Sequence, residues 1–332
     1  MKRKVGIVGF RGYSGAELVS ILARHPGVER VLLEHRSDAA ETPGPGERLR
    51  RVPCTPEAFR AEGFAAVFLA TPADVSMELA PWMLDAGAKV IDLSGAFRLR
   101  TAERYRRWYK EEHTQPALLA EAVFGLPEMY RRQLRAARLI ANPGCYPTGA
   151  MLAIAPLIEC GVADRAAGVI CDAKSGVSGA GRKPSLKTHF CEVAENLSAY
   201  SILEHRHVPE ILLNCGLEEG ELSFTAQLLP ITRGILETVY FRTKLASVQD
   251  LHAVYKKRYA GEPFVRIWEP PHVPDIRAVA RTNFCDIGMR LDPATGRAVV
   301  VAAFDNLVKG AAGQAVQNMN LALGFDETEA LL

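Results

Sequence analysis

The chain has 332 residues, enough for about two domains, and 48% of them are hydrophobic while 23% are charged. This composition excludes a disordered chain, and the formal net charge of +2 excludes a uniformly basic surface for nucleic acid. No apolar run approaches the roughly 20 residues of a membrane-spanning helix. The seven cysteines are scattered without a C-x-x-C pair, which argues against a disulfide framework or a zinc site and predicts a cytoplasmic protein.

The first 140 residues alternate short apolar runs with amphipathic stretches, which predicts a parallel sheet with helices on both faces. The predicted strands are Val5–Val8, Val31–Leu33, Ala65–Ala70, Lys89–Leu93 and Arg138–Ala141. Helical spacing of apolar residues occurs in between, over Ala16–Arg24 and Asp74–Ala86.

From about residue 165 the apolar runs become longer and the helices between them fewer, which predicts an α+β domain with a mixed or antiparallel sheet. Its predicted strands are Gly168–Ala173, Leu222–Pro230, Leu236–Leu245, Asn283–Leu291 and Arg297–Phe304. Helical periodicity returns at Ala311–Leu323. We therefore expect a first domain over residues 1–144, a second over 145–307, and a C-terminal helix within 308–332 that packs back on the first domain.

Three glycines follow the first predicted strand and open the first helix, in the segment GFRGYSG. Glycines at this position allow a tight turn and let a pyrophosphate approach the main chain at a helix N-terminus. The spacing is G-x-x-G-x-x-G, which differs from the usual G-x-G-x-x-G. The position still favours an α/β, Rossmann-like dinucleotide-binding domain over a plain turn. The residues predicted to bind the cofactor here are Gly9, Arg11, Gly12, Tyr13, Ser14 and Gly15.

The end of the second predicted strand is expected to meet the adenosine ribose, and it reads Glu34-His35-Arg36-Ser37. Glu34 is suited to the ribose hydroxyls of NAD, whereas Arg36 and Ser37 are suited to the 2′-phosphate of NADP. The pair Arg36 and Ser37 favours NADP(H), although a solvated Glu–Arg pair is an alternative reading of the same residues.

Cys145 lies in Asn142-Pro143-Gly144-Cys145-Tyr146-Pro147-Thr148, between an apolar strand and a helical run. Proline suits a first helical turn, so Cys145 is expected at a helix N-terminus, where the thiol pKa falls and the thiolate becomes available. A thiolate nucleophile needs a proton-handling partner, usually histidine. His205 and His207, in the segment EHRHVPE, are the candidates, and an extended stretch puts both on one side.

Cationic and Gly/Ser-rich segments supply candidate anion sites. The segment Asp172–Arg182 reads DAKSGVSGAGR and is expected to be a loop that presents backbone N–H groups to phosphate or to a nicotinamide edge. Arg98 in SGAFRL and Arg233 in ITRG are candidates for gripping a carboxylate or phosphate. A mobile surface loop and surface ion pairs are the alternatives.

With these residues in view, the chain resembles the N-acetyl-γ-glutamyl-phosphate reductase family of acyl-phosphate-reducing dehydrogenases. The resemblance runs from Lys4 to the C-terminus and is carried by the segments GYSGAEL, ATPADVS, VIDLS, FRL, NPGCYPT, DAKSGVSGAGR, KTHF, HRHVPEI, PITRGI, EPFVR, NFCDIG and DNLVKGAAGQAVQNMN. The family more often has an acidic residue within the segment that reads SGAFRL here, and often a serine where Glu34 stands.

The resemblance implies an enzyme of arginine biosynthesis that uses NADPH to reduce N-acetyl-γ-glutamyl phosphate to N-acetylglutamate 5-semialdehyde and phosphate. It implies that Cys145 attacks the acyl phosphate to form a thioester, which hydride then reduces, and that His207 is the acid/base residue with His205 close by. The second domain becomes a catalytic and dimerisation domain, and a homo-oligomer, dimer or tetramer, is expected. Further residues placed at the cofactor are Ser175, Gly176 and Asn306, and those placed at the substrate are Arg98, Ser178, Arg182, His205 and Arg233.

Other readings stay open at this point. A sister reductase on the same fold would act on a carrier-protein-linked aminoadipyl phosphate or on aspartyl phosphate. A regulatory protein that only senses a dinucleotide is a rival of another class. No metal, nucleic acid or membrane partner is expected.

Overall fold

The computed structural model describes residues 2–35 and 49–332, and these form two compact units. The first unit comprises the described residues up to 143 together with residues 311–332, and the second comprises residues 144–310. Within the described ranges, no helix combines the length and apolar character needed to cross a membrane.

The strands of the described chain are β1 (Arg3–Val8), β2 (Val28–Glu34), β3 (Arg51–Pro53), β4 (Ala66–Leu69), β5 (Lys89–Asp92), β6 (Val123–Phe124), β7 (Leu139–Ala141), β8 (Val169–Gly176), β9 (Ser198–Tyr200), β10 (Leu222–Leu229), β11 (Ile235–Arg242), β12 (Val265–Ile267), β13 (Cys285–Asp292) and β14 (Arg297–Phe304). Its α-helices are α1 (Tyr13–Leu22), α2 (Pro56–Glu62), α3 (Ala73–Asp85), α4 (Ala102–Tyr109), α5 (Pro116–Glu121), α6 (Pro127–Ala136), α7 (Cys145–Glu159), α8 (Phe190–Val193), α9 (Val208–Cys215), α10 (Val248–Arg258) and α11 (Gly313–Leu323).

The sheet of the first unit has the strand order β3-β2-β1-β4-β5-β7-β6, and every neighbouring pair is parallel. Parallel strands covered on both faces need apolar side chains on both sides, which explains why β4 is entirely buried. The strand order reverses between β1 and β4, the position where open α/β sheets bind ligands. The Rossmann-like fold predicted from the sequence is confirmed.

Helix α11 belongs to the first unit, and its buried Asn318 and Asn320 side chains form hydrogen bonds, whereas the carboxamide of Gln314 has no partner among the described residues. Asn318 donates from Nδ2 to the carbonyl oxygen of Gly125 at 2.7 Å and to Oδ1 of Asn142 at 3.0 Å. The side chain of Asn320 lies 3.1 Å from the ring of His25. These bonds offset the cost of burying amide groups and fix the end of the chain on the parallel sheet.

The sheet of the second unit has the strand order β12-β13-β14-β11-β8-β10-β9 among the described strands. The pairs β8–β10 and β12–β13 are parallel, while the others are antiparallel. Burial alternates along β11, because one face of the sheet packs against helices and the other does not. The predicted mixed sheet is confirmed.

Helix α7 is the central helix of the second unit, and nearly all of its residues are buried. Pro156 lies inside this helix and has no N–H to donate to the carbonyl oxygen of Leu152. The hydroxyl of Tyr259 donates to that carbonyl oxygen at 2.6 Å instead, and the hydroxyl of Tyr255 donates to the carbonyl oxygen of Ala153. Two tyrosine hydroxyls therefore anchor the middle of the helix that begins at Cys145.

Candidate active site

Cys145 is the first residue of α7, and Gly144 is its N-cap. Pro147 lies in the first turn, where a missing N–H breaks no hydrogen bond of the helix. Gly310 lies against the cysteine, since a Cβ built on Gly310 would be 3.1 Å from Cβ of Cys145. The thiol therefore lies at a helix N-terminus, next to the backbone of Gly310, which has no side chain.

Gly144 joins the start of α7 to the start of α9. Its N–H donates to Oε2 of Glu210 at 2.9 Å. A Cβ built on Gly144 would lie 2.6 Å from Nε2 of His207, so the imidazole packs directly on the residue that precedes Cys145. Sequence reasoning missed Glu210, although its spacing of three residues after His207 on a helix was a signal that the two share a face.

His205 and His207 have different environments, although their ring centroids are only 4.7 Å apart. Nδ1 of His205 accepts the backbone N–H of His207 at 3.2 Å, so any proton on a neutral His205 is at Nε2. Burial, together with the nearby charge of Arg206, lowers the pKa of His205 to about 4. His205 is therefore a neutral side chain at physiological pH.

A tyrosine pair lines the same region of the second unit. The hydroxyl of Tyr200 donates to the hydroxyl of Tyr146 at 3.1 Å, and Tyr146 donates to the carbonyl oxygen of Gln227 at 3.1 Å. Burial is the main reason that the pKa of Tyr200 rises to about 12 and that of Tyr146 rises further. Both rings lie edge-on to His205, so this wall of the site is aromatic and uncharged at neutral pH.

The Gly/Ser-rich segment is not the open loop expected from its composition. Strand β8 extends through Gly176, and residues 177–180 form one turn of 3₁₀ helix. Three successive amides are used in chain pairing: Gly176 N–H donates to Gly234 at 2.9 Å, Val177 to Ile231 at 2.8 Å and Ser178 to Thr232 at 3.1 Å. The expectation that these amides face a phosphate is corrected, because tertiary pairing has already satisfied them.

The segments that contain Ser178, Arg233 and Asn306 meet in one cluster. Oδ1 of Asn306 accepts the N–H of Gly234 at 2.7 Å, and its Nδ2 donates to Oγ of Ser178 at 3.0 Å. Arg233 forms a 3.3 Å ion pair with Asp305, which is fully buried. Sequence reasoning also missed Asp305, because only the fold brings this carboxylate to Arg233.

Of the remaining polar residues of this segment, Ser175 is buried and interacts with the hydroxyl of Tyr146, whereas Lys174 is half-buried. Oγ of Ser175 donates to the carbonyl oxygen of Gly176 at 3.0 Å, within its own strand end. Lys174 forms a 2.6 Å ion pair with Asp172. Arg182 follows the 3₁₀ turn and is exposed.

In the first unit, the predicted glycine loop joins β1 to α1. Gly9 has φ +76°, and a Cβ built there would collide with the carbonyl oxygen of Ala70. A Cβ on Gly15 would collide with the carbonyl oxygen of Gly9. Gly12 differs, since its Cβ would meet only Gly9 O, at 3.5 Å. The protein thus requires glycine at 9 and 15, while the space at Gly12, the N-cap of α1, suits an approaching ligand.

The side chains around this loop are placed as follows. Tyr13 and Ser14 form the first turn of α1, and the guanidinium of Arg11 lies 5.4 Å from the ring centroid of Phe10. Glu34, at the end of β2, forms a 3.2 Å ion pair with Arg51. Arg36 and Ser37 lie outside the described residues.

Arg98 is buried in the first unit and donates to main-chain carbonyl groups. Its Nε donates to Asn142 at 2.8 Å and its Nη2 donates to Leu93 at 2.8 Å. These bonds tie the chain after β5 to the chain after β7. Carbonyl oxygens therefore hold the guanidinium, and the buried carboxylate of Asp92 also interacts with its charge.

Over residues 2–35 and 49–332, no group of three or more His, Cys, Asp or Glu side chains is arranged to hold a metal ion. The described residues include all seven cysteines, and none of these forms a disulfide.

Comparison with known proteins identifies the class first. Residues 4–137 match the family model described as semialdehyde dehydrogenase, NAD binding domain, and residues 145–306 match semialdehyde dehydrogenase, dimerisation domain. The fold is also that of aspartate semialdehyde dehydrogenase II from Vibrio cholerae, with a TM-score of 0.73 at 19% identity over 98% of this chain and 99% of that one. A probable aspartate-semialdehyde dehydrogenase from Pseudomonas aeruginosa gives a TM-score of 0.72 at 23% identity over 97% and 99% of the two chains.

Sequence relatives then identify the family. The chain is 48% identical to N-acetyl-gamma-glutamyl-phosphate reductase of Symbiobacterium thermophilum and 47% identical to that of Pelotomaculum thermopropionicum, over 100% of this chain and 98% of each relative. The chain belongs to the N-acetyl-gamma-glutamyl-phosphate reductase family. The predicted family, oxidoreductase class and nicotinamide-dinucleotide cofactor are confirmed.

Proposed function

We propose that this protein uses NADPH to reduce N-acetyl-γ-glutamyl phosphate to N-acetylglutamate 5-semialdehyde, with release of phosphate, as a step of arginine biosynthesis. The observation that carries the proposal is the position of Cys145 at the first turn of α7, with Nε2 of His207 packed on the adjacent Gly144. The names of the relatives supply the substrate.

Cys145 is the proposed nucleophile. The positive end of the α7 dipole favours the thiolate. The sulfur attacks the acyl carbon, a carbon–sulfur bond forms, and phosphate leaves with the electron pair of the carbon–oxygen bond. The product is a thioester on Cys145, which accepts a nucleophile far more readily than a carboxylate does.

His207 is the proposed acid/base residue, because it packs at the start of α7 while His205 is held neutral. After reduction of the thioester, the N–H groups of the first turn of α7 stabilise the thiohemiacetal oxyanion. A proton on Nε2 of His207 adds to this stabilisation, and collapse to the aldehyde expels Cys145 as a thiolate. Glu210 is a positioning residue, since it binds the N–H of Gly144 from the same helix that follows His207.

The glycine loop fits a dinucleotide cofactor, since a Cβ at Gly12 would fill the open space at the N-cap of α1. We propose that Gly9, Gly12, Gly15 and the first turn of α1 hold the pyrophosphate, and that Arg36 and Ser37 favour NADP over NAD. When bound, the dinucleotide supplies the hydride that reduces the thioester.

The substrate carries a carboxylate and a phosphate, and cationic groups of the second unit are proposed to bind them. Arg233 and Ser178 belong to the hydrogen-bonded cluster, and exposed Arg182 lies beyond it. Asn306 holds this cluster together through both ends of its carboxamide. We propose that Asn306, Ser175 and Gly176 contact the cofactor, as the sequence predicts. For Arg98 we propose a bracing role in the first unit, because its guanidinium donates to main-chain oxygens.

Turnover in the reverse direction tests the proposal. Wild-type protein is mixed with N-acetylglutamate 5-semialdehyde, phosphate and NADP, and NADPH formation is followed at 340 nm by the absorbance of the reduced nicotinamide. We expect turnover that disappears in Cys145→Ser, whereas Cys160→Ser, which alters an exposed thiol at the opposite end of α7, keeps wild-type rates. Near-normal turnover by Cys145→Ser would refute covalent catalysis, and activity only with an aminoadipyl or aspartyl semialdehyde would refute the substrate.

We also propose a cytoplasmic homo-oligomer that forms through the uncovered face of the second sheet. Ile170, Tyr240 and Val299 are cross-strand neighbours on β8, β11 and β14. Ile170 is 50% exposed and Tyr240 is 41% exposed, and a groove of about 650 Å³ runs past all three. An apolar row of this kind on a dimerisation domain is suited to a second copy of the chain, with a dimer as the first step and a tetramer as its extension.

A further inference from the structure

Asp305 is a fully buried residue directly after β14, and it contacts two separate parts of the candidate site. Its Oδ2 accepts the backbone N–H of Arg281 at 2.7 Å and forms the 3.3 Å ion pair with Nη1 of Arg233. Its Oδ1 accepts the N–H groups of Leu307 and Val308 at 2.8 and 3.2 Å. A buried carboxylate with this many donors is rigidly held.

The main-chain oxygen of Asp305 reaches the other part of the site. It accepts the N–H of Gly310 at 2.9 Å, and Gly310 is the residue that lies against Cys145. One residue therefore contacts the neighbour of the sulfur through its backbone and a cation through its side chain. Successive contacts therefore connect Cys145 to Arg233 by way of Gly310 and Asp305.

We propose that Asp305 is a positioning residue that holds Arg233 at a fixed distance from Cys145, and that Arg233 so placed binds the carboxylate end of the substrate. This inference rests on the proposed function. The charge of Asp305 offsets that of Arg233, which suits a singly charged carboxylate better than a doubly charged phosphate. Asp305 acts through Arg233 and touches no reacting atom.

Binding of N-acetylglutamate tests the inference without catalysis. Isothermal calorimetry on the full chain saturated with NADP compares wild type, Asp305→Asn, Arg233→Met and the double variant, with Arg290→Met as an exposed arginine control. We expect Asp305→Asn to weaken binding by about 10- to 100-fold, the range for a lost hydrogen bond to a charged group. The double variant should bind no more weakly than Arg233→Met, because Asp305 acts only through that arginine.

Two outcomes of the binding measurements would overturn the inference. One is a Kd in the double variant that rises by the product of the factors measured in the two single variants. The other is tighter binding by Asp305→Asn, as expected if the carboxylate acted only by its charge. If Asp305→Asn does not fold, Arg233→Lys replaces it, because lysine keeps the charge and loses the planar fork. An Arg233→Lys variant that bound N-acetylglutamate as tightly as the wild type would likewise overturn the inference.

Kinetics separate this inference from the proposed function. In Asp305→Asn we expect the KM for N-acetylglutamate 5-semialdehyde to rise by the same factor as the Kd of N-acetylglutamate. The kcat and the alkylation rate of Cys145 should change by less than about threefold, since the sulfur and His207 keep their places. Binding by the wild type without turnover would refute the function alone, and no binding by the wild type would refute both.

Discussion

At the residue scale, Gly144 has three structural roles that only a glycine can combine. It caps α7, gives its N–H to Glu210 and leaves space for the imidazole of His207. None of these roles depends on an unusual backbone angle, because Gly144 has an extended conformation that any residue can adopt. The requirement for glycine is therefore steric and comes from His207.

We expect Gly144→Ala to lower kcat by at least about 100-fold, because the new Cβ would displace His207 from the start of α7. Steady-state turnover measures this loss, and circular dichroism checks that the fold persists. Gly220→Ala is the matched control, since a Cβ there would meet nothing within 4 Å and should leave turnover unchanged. Equal kcat in Gly144→Ala and wild type would contradict a catalytic place for His207.

At the element scale, the β1–α1 connection contains glycines that the fold requires and one glycine, Gly12, that we propose the ligand requires. Gly15 packs α1 against the backbone of Gly9, whereas Gly12 has open space at the helix N-cap. Both roles look the same in the sequence, where each residue is one glycine of a G-x-x-G-x-x-G pattern.

We expect Gly12→Ala to raise the Kd for NADPH by at least about 10-fold with little change in thermal stability, because its methyl group occupies the place of the pyrophosphate. Gly15→Ala is the paired variant and should instead lower the melting temperature, because its methyl group collides with Gly9. Fluorescence titration with NADPH and thermal unfolding measure the two effects. Lower thermal stability in Gly12→Ala together with unchanged NADPH binding would show that the pyrophosphate lies elsewhere.

The packing of α7 on the second sheet buries an acid. Glu237 on β11 is fully buried, and no hydrogen-bond donor in the described residues reaches either of its carboxylate oxygens. Gly149 of α7 leaves space for it, since a Cβ there would lie 2.6 Å from Oε2. Burial raises the pKa of Glu237 well above its usual range, so the folded protein holds a proton that the unfolded chain releases.

This proton makes stability fall as pH rises above the unfolded pKa, which is about 4.3 for glutamate, until the folded pKa is reached. We expect Glu237→Gln to remove a slope of about 1.4 kcal/mol per pH unit, so its stability relative to wild type rises with pH between the unfolded and the folded pKa of Glu237. Urea unfolding at several pH values measures this difference. Exposed Glu111→Gln is the control, and an advantage for Glu237→Gln that did not change with pH would count against a protonated Glu237.

At the scale of the whole molecule, the uncovered face of the second sheet accounts for the proposed assembly. The row formed by Ile170, Tyr240 and Val299 crosses three neighbouring strands. Exposed apolar side chains that line up across strands favour association, whereas isolated ones do not. This surface exists only because the strands are paired in the observed register.

We expect Tyr240→Asp to dissociate the oligomer, because a charge at the centre of a buried apolar interface costs more than one at its rim. Light scattering coupled to size-exclusion chromatography gives the mass. Val273→Asp is the control, since Val273 is as exposed as Tyr240, at 42%, and lies outside the row. An unchanged mass in Tyr240→Asp would place the contact between copies on another surface.

Much of the candidate site could be predicted from short segments of sequence. The turn at Cys145 was recognisable because a strand, a glycine and a proline suited to a first helical turn follow one another in ten residues. The glycine loop was recognisable because its glycines directly follow a strand and open a helix. The Gly/Ser-rich segment was misread as open because composition does not reveal that residues 231–234 pair with it. Asp305 was missed because its partner Arg233 is 72 residues away in the chain.

The sequence by itself determined the periodicity of strands and helices, the two kinds of sheet, and the helix start that exposes Cys145. These are local properties, set by apolar spacing and by the backbone preferences of glycine and proline. Only the tertiary structure decided that His207 packs on Gly144, that His205 stays neutral, and that Asp305 holds Arg233. Contacts and pKa shifts of this kind depend on burial and on residues distant in the chain, which no local pattern encodes.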